Sequence, residues 1–160
     1  MNYWLMKTEP SVFSIDDLAL AKRRTASWDG VRNYQARNFI RDDMQPGDLA
    51  FLYHSSCDVP GIAGIVKVTS KAYPDATAFD KRDHHYDPAS ERANPRWFAV
   101  DIQLESKFRR VITLQELRAH AKDRLNELLI LRRGNRLSIT PVSARDWRFI
   151  LTLNGADERA

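Results

Sequence analysis

Residues 97–105 read Trp97-Phe98-Ala99-Val100-Asp101-Ile102-Gln103-Leu104-Glu105, and their alternation decides the fold class. Phe98, Val100, Ile102 and Leu104 fall on one face of an extended chain, and Asp101, Gln103 and Glu105 on the other. A helix would scatter both sets around its axis, so the stretch is a half-buried strand. Working outward, four more segments fit short strands. Residues 3–6 are apolar. Residues 49–53 are continuously apolar, as a strand covered on both faces is. Residues 62–69 are interrupted by Gly64. Residues 137–142 end the set, with Pro141 marking an edge or a strand end.

Between the strands lie helix starts with one signature. Ser14 with Asp17, Thr113 with Glu116, and Ser143 with Asp146 each pair a capping hydroxyl with an acid three positions on. Phe13/Leu18 and Ile112/Leu117 are spaced as hydrophobic staples. A fourth helix is predicted from Asn33, which puts Ala36, Phe39 and Ile40 on one face and Arg37 and Arg41 one turn apart on another. If Asn33 caps it, the first turn offers N–H groups to an anion. A fifth is predicted over residues 125–131, ending near Gly134. Short strands and irregular helices give an α+β class, a small mixed barrel, without the regular βαβ rhythm of a nucleotide-binding sheet. Residues 73–96 are polar, rich in Pro, Asp and His, and long for a loop in a compact domain, which marks them as functional or mobile.

The 160 residues fit one domain, and 43% hydrophobic with 29% charged residues is a globular composition. No repeat or linker divides it, so residues 1–154 form the predicted domain and 155–160 a tail. Cys57 is the only cysteine, which excludes an internal disulfide. The opening MNYWLMKTEP lacks the pattern of a secretory signal, and no apolar run is long enough to cross a bilayer. The expectation is a soluble, cytoplasmic monomer without a membrane partner. The net charge of +4 permits nucleic acid as a partner. Arginines cluster at Arg32, Arg37 and Arg41, and again at Arg132, Arg133 and Arg136.

Signatures of common catalysis are missing: no G-x-S-x-G elbow, phosphate-binding P-loop, H-E-x-x-H or paired-cysteine zinc site. Pro60-Gly61-Ile62-Ala63-Gly64 reads as a turn into a strand. Asp83-His84-His85-Tyr86-Asp87 carries metal-ligand types, but adjacent histidines rarely point at one ion, so no metal or cofactor is expected. Cys57 reads as an incidental thiol.

Binding fits better. Residues 27–39, SWDGVRNYQARNF, combine aromatic faces, amides and cations. Reading a base off the helix needs a pocket that stacks the ring and matches its edge with hydrogen bonds. Trp28, Tyr34, Tyr53 and Trp97 are the stacking candidates. Asn33, Gln35 and Ser55 carry edge-reading groups, and Asp29 is placed to accept from an exocyclic amine.

The chain resembles the EVE domain family of the PUA-like group, which includes YTH and ASCH domains. The resemblance runs through Tyr3-Trp4-Leu5-Met6-Lys7-Thr8-Glu9-Pro10 and Phe13-Ser14-Ile15-Asp16-Asp17-Leu18. It continues in Trp28-Asp29-Gly30-Val31-Arg32-Asn33-Tyr34-Gln35-Ala36-Arg37-Asn38. Gly47-Asp48, Phe51-Leu52-Tyr53-His54-Ser55, Pro60-Gly61-Ile62-Ala63-Gly64, Tyr73-Pro74-Asp75, Arg136-Leu137-Ser138-Ile139 and Pro141-Val142 complete it. Thr8 stands where the family often has Ser, and the hydroxyl is kept. The resemblance implies a PUA-like mixed β pseudobarrel of about five or six strands flanked by helices. It implies a pocket for a modified base, methylated or hydroxymethylated cytosine, with an aromatic cage as in YTH domains. Carried onto this chain, the pocket draws on Trp28, Asn33, Tyr34, Gln35, Tyr53, His54, Ser55, Lys7, Glu9 and Pro10.

The preferred reading is a non-catalytic reader of a modified base in DNA or RNA, single-stranded or with the base flipped. Arg32, Arg37, Arg41, Arg132, Arg133 and Arg136 would hold the phosphate backbone. The alternative is an enzyme on a nucleobase, nucleotide or modified tRNA, using Tyr53-His54-Ser55 with Asp29 or Glu9. A third reading makes residues 73–96 a protein-docking surface.

Overall fold

A computed structural model describes residues 1–154; the predicted tail at 155–160 lies outside the described residues. Seven strands occur in chain order: β1 Tyr3–Thr8, β2 Thr25–Trp28, β3 Leu49–His54, β4 Gly61–Val68, β5 Tyr73–Pro74, β6 Phe98–Thr113 and β7 Ile139–Val142. They run in the order β2-β6-β4-β3-β1-β7, with β5 paired to β6. The mixed α+β class is as expected. The count is seven rather than five or six, and among the described residues the sheet is open, with no ladder joining β2 to β7.

The β1–β3 pair is parallel, and β7 lies antiparallel to β1 at the edge, where Pro141 is tolerated. Alternation along the central strands feeds two cores. Trp4, Met6, Ala50 and Leu52 enter one, and Leu5, Phe51 and Tyr53 enter the other. That explains the unbroken apolar run of residues 49–53.

The opening stretch extends further than its alternation predicts: β6 spans 16 residues. Val66 pairs with Leu104 but Ile65 with Ser106, so Glu105 is an extra residue in β6. Such a bulge bends a strand and re-aims its side chains. Val100, Ile102 and Leu104 accordingly enter the first core, and Phe108 and Ile112 the second. Gly64 permits the close crossing here, since a Cβ on it would lie 2.3 Å from the Ser106 carbonyl oxygen and 2.5 Å from Ile15 Cδ1.

The helices are α1 Ile15–Leu20, α2 Tyr34–Asn38, α3 Leu114–Arg118 and α4 Ala144–Leu153. Ser14 and Thr113 form full capping boxes, and Ser143 caps α4 through the Asp146 N–H. After α2 the chain widens into a π-helical turn, Phe39–Asp43. The helix predicted over 125–131 is a series of turns ending in a 3₁₀ turn, Leu129–Leu131. Its N–H groups bond three residues back, Leu128 to Leu125 and Leu131 to Leu128. Leucines at a spacing of three fit that tighter turn, and Leu125 and Leu128 are both buried.

Candidate functional site

Because β1 and β3 are parallel, their C-terminal ends meet on one side of the sheet. The end of β2 and the segment before β7 reach the same place. A cavity of about 640 Å³ opens there. Lys7, Thr8 and Glu9 line it from β1 and its exit, and Ser55 and Ser56 from the turn after β3. Ser27, Trp28, Asp29 and Asn33 come from the opposite wall, and Arg136 and Ser138 from before β7. Trp28 is 8% exposed and also belongs to the first core, so one side of its indole is held by packing. Ser56 has a left-handed backbone (φ 54°). Non-glycine residues in that conformation concentrate at binding sites.

The wall around Trp28 is built on a buried acid, Asp75, with no exposed side-chain surface. It accepts from the Gly30 N–H (2.8 Å), Arg32 Nη1 (3.0 Å), the Thr77 N–H (2.8 Å) and Thr77 Oγ1 (2.6 Å). Burial alone would raise its pKa. The Thr77, Gly30 and Arg32 bonds outweigh that and hold it below the ordinary value. Gly30 turns with φ +78°, where a Cβ would lie 2.7 Å from the His85 ring. Segment 73–96, expected to be functional or mobile, is thus folded against the cavity and contributes His85 to its lining.

Arg32 was expected on a phosphate. Instead its guanidinium meets Asp75, Thr77 Oγ1, the Val31 carbonyl and, twice, the His85 carbonyl. A guanidinium has five N–H donors, and these contacts use all of them. Arg37 donates to the Arg96 carbonyl at 2.6 Å and lies over the Tyr34 ring, and Arg41 pairs with Asp42 at 2.8 Å. Arg132 and Arg133 are exposed away from the cavity lining, and among the described residues only Arg136 of the six reaches it with donors free.

The expected pocket residues divide. Lys7, Glu9, Trp28, Asn33 and Ser55 line the cavity; Pro10, Tyr34, Gln35, Tyr53 and His54 do not. Tyr34 is 51% exposed and stacks on Trp97 (centroids 4.8 Å, 24°), whose indole N–H donates to Asp87. Tyr53 is 3% exposed in the second core, where burial pushes its pKa up to about 12. His54 Nε2 accepts from the Ile15 N–H at 3.1 Å, and burial lowers its pKa. The Nε2 lone pair is thus engaged at the start of α1 rather than turned to the cavity. Asn33 uses its oxygen on its own helix, accepting from the Gln35 and Ala36 N–H groups. Those amides are therefore closed to an anion, and the Asn33 side-chain NH₂ is what remains for a ligand.

Phe13, Val12, Val31 and His85 line the cavity without having been expected there. Phe13 carried only a helix-staple signal, and His85 only a metal-ligand one. His85 Nδ1 is in fact 3.1 Å from Asp83 Oδ1, and its ring packs against His84 at 3.8 Å. Lys7 is half-buried, which lowers its pKa. No helix among the described residues is long and apolar enough to cross a membrane.

Fold and cavity together define an α+β domain whose open mixed sheet carries a cavity lined by one indole, several hydroxyl and amide groups, and cations. The chain belongs to the EVE domain family, which matches residues 2–153. It is similar to thymocyte nuclear protein 1 of Danio rerio, 45% identical over 96% of this chain and 72% of that one. The Homo sapiens protein of that name is 43% identical over 95% and 73%. The crystal structure of human THYN1 protein in complex with 5-methylcytosine containing DNA has a TM-score of 0.91 at 43% identity, covering 96% of this chain and 98% of that one. A Pseudomonas syringae protein of known structure has a TM-score of 0.89 at 47% identity, covering 95% and 99%.

Proposed function

We propose that this protein reads a modified cytosine of the 5-methyl type in nucleic acid by taking the unstacked base into the cavity beside Trp28. The observation that carries the reading is the joint lining of one cavity by an indole, hydrogen-bonding side chains and the cations Lys7 and Arg136. Its volume lies within the range of small-ligand pockets, about 300–1,000 Å³. The human relative crystallised with 5-methylcytosine DNA supports the same ligand class at nearly equal fold. A base inside a duplex cannot reach such a site, so it enters single-stranded or flipped. Trp28 and Phe13 supply stacking and apolar contact, Asn33 and Ser55 hydrogen bonds, and Arg136 the phosphate contact.

The test is a salt-titrated binding series on single-stranded and duplex oligomers with one plain, 5-methylated or 5-hydroxymethylated cytosine. Base–aromatic stacking contributes about 1–3 kcal/mol, roughly five- to 150-fold in affinity. Trp28→Leu, checked for folding by circular dichroism, should remove the preference for the modified base. Arg136→Ala should weaken all oligomers alike and lower the salt slope by about one. Equal affinity of the wild type for every oligomer would refute the reading.

A further inference from the structure

Tyr34, expected as a stacking residue, lies outside the cavity lining, yet its ring is held as a platform. One face stacks on Trp97, with centroids 4.8 Å apart and planes at 24°. Trp97 is itself fixed, because it is buried and its indole N–H donates to Asp87 Oδ2 at 2.7 Å. The Arg37 guanidinium carbon lies 4.8 Å from the Tyr34 centroid and 6.0 Å from that of Trp97. A cation on the far face of Tyr34 would lie well beyond that second distance, so Arg37 flanks the stack on the Trp97 side. The far face is left to solvent, and Tyr34 is 51% exposed. No other Phe, Tyr or Trp among the described residues is exposed to that extent.

This platform stands at the rim of the cavity. Asn33 lines the cavity and directly precedes Tyr34, and consecutive Cα atoms are only about 3.8 Å apart. Arg32 lines it too and lies over the Trp97 ring at 5.3 Å, so the stack and the cavity share a wall. We infer that Tyr34 stacks the base next to the one held at Trp28, on the same nucleic-acid strand. The inference rests on the base-reading function proposed above and adds a second subsite to it. A base drawn into the cavity leaves its neighbour without one stacking partner. The open face of Tyr34 replaces that partner, and the ring costs little to order because Trp97 already holds it.

The surroundings suit a nucleotide. Arg37 donates from Nε to Asn38 and from Nη1 to the Arg96 carbonyl, which leaves its Nη2 for the phosphate beside the stacked base. The exposed side chains next to the stack, Asn33, Gln35 and Arg96, are polar or cationic, unlike the apolar core of a protein seam. Every base has a flat π face, so Tyr34 adds affinity without choosing the sequence around the modified cytosine.

The probe is a single-stranded DNA oligomer with one 5-methylcytosine, offered intact or with the 5′ or the 3′ neighbour made abasic. For the wild type, one of the two abasic oligomers should bind about five- to 150-fold more weakly than the intact one. Tyr34→Leu, checked for folding by circular dichroism, should weaken the intact oligomer by a similar factor and no longer distinguish it from that abasic oligomer. It should keep the preference for 5-methylcytosine over cytosine, which Trp28 carries. Tyr34→Phe keeps the ring and should bind as the wild type does. The coupling between side chain and neighbouring base is a readout that a merely structural Tyr34 would not move. If Tyr34→Leu weakens intact and abasic oligomers by the same factor, or weakens neither, the subsite is overturned, and a wild type that still prefers 5-methylcytosine leaves the base-reading function standing. A dimer of the free wild type in sedimentation that Tyr34→Leu dissociates would give the face to a second copy and overturn the subsite likewise. If the wild type does not prefer the modified oligomer to its plain-cytosine counterpart, the base-reading function falls and the inference falls with it.

Discussion

Replacing Asp75 by alanine should be among the most damaging single changes to this domain. The side chain is fully buried and accepts four hydrogen bonds of 2.6–3.0 Å, one of them from a cation. Removing one partner of a buried ion pair costs about 3–5 kcal/mol, because the other charge is left without compensation. Arg32 retains 23% side-chain exposure, so part of its charge can be rehydrated. The lower end, about 3 kcal/mol, is therefore expected, against a typical total stability of about 5–15 kcal/mol. Urea unfolding followed by tryptophan fluorescence measures it, with equal m-values required for the comparison. Asp75→Asn keeps one acceptor for the Gly30 N–H and should lose less. The pH dependence has a definite sign. The carboxyl is held below its ordinary range, so its stabilisation is complete above that range and is lost as pH falls from there through the lower folded value. Acid unfolding of the wild type should therefore be steeper than that of Asp75→Asn. A loss below about 1 kcal/mol for Asp75→Ala, the size of an average point mutation, would refute the view that Asp75 organises the cavity wall.

Gly30→Ala forces a side chain into the left-handed region against His85, and should cost about 1–3 kcal/mol in urea unfolding and weaken oligomer binding by displacing that ring. His54 is neutral in the fold with a lowered pKa. Its contribution is complete above about pH 6.5 and is lost as pH falls from there through the folded value. Melting temperatures at pH 5 and 7.5 should differ less for His54→Asn than for the wild type.

Much of this fold is written in local chemistry. Ser14, Asn33, Thr113 and Ser143 cap helices because their oxygens meet N–H groups two or three residues away. The alternation of residues 97–105 and the apolar run 49–53 report how many faces of a strand are covered. Two strands were not legible. β2 and β5 have four and two residues and are extended only because β6 pairs with them. The bulge at Glu105 leaves no periodic trace. In the cavity, Trp28 and Asn33 were visible as chemistry on one short stretch. Tyr53 and His54 carried the right side chains on the wrong faces, since alternation sends Tyr53 into the second core.

The sequence by itself determined most of the elements, the class and the family, because caps, alternation and apolar runs depend on residues within a turn or a strand of one another. The tertiary structure alone decided which groups face the ligand. Arg32 changed from a phosphate contact to a structural brace through bonds to Asp75 and the His85 carbonyl, 43 and 53 residues away. Such pairings form when distant segments meet across the sheet, and a periodicity confined to a few residues carries no record of them.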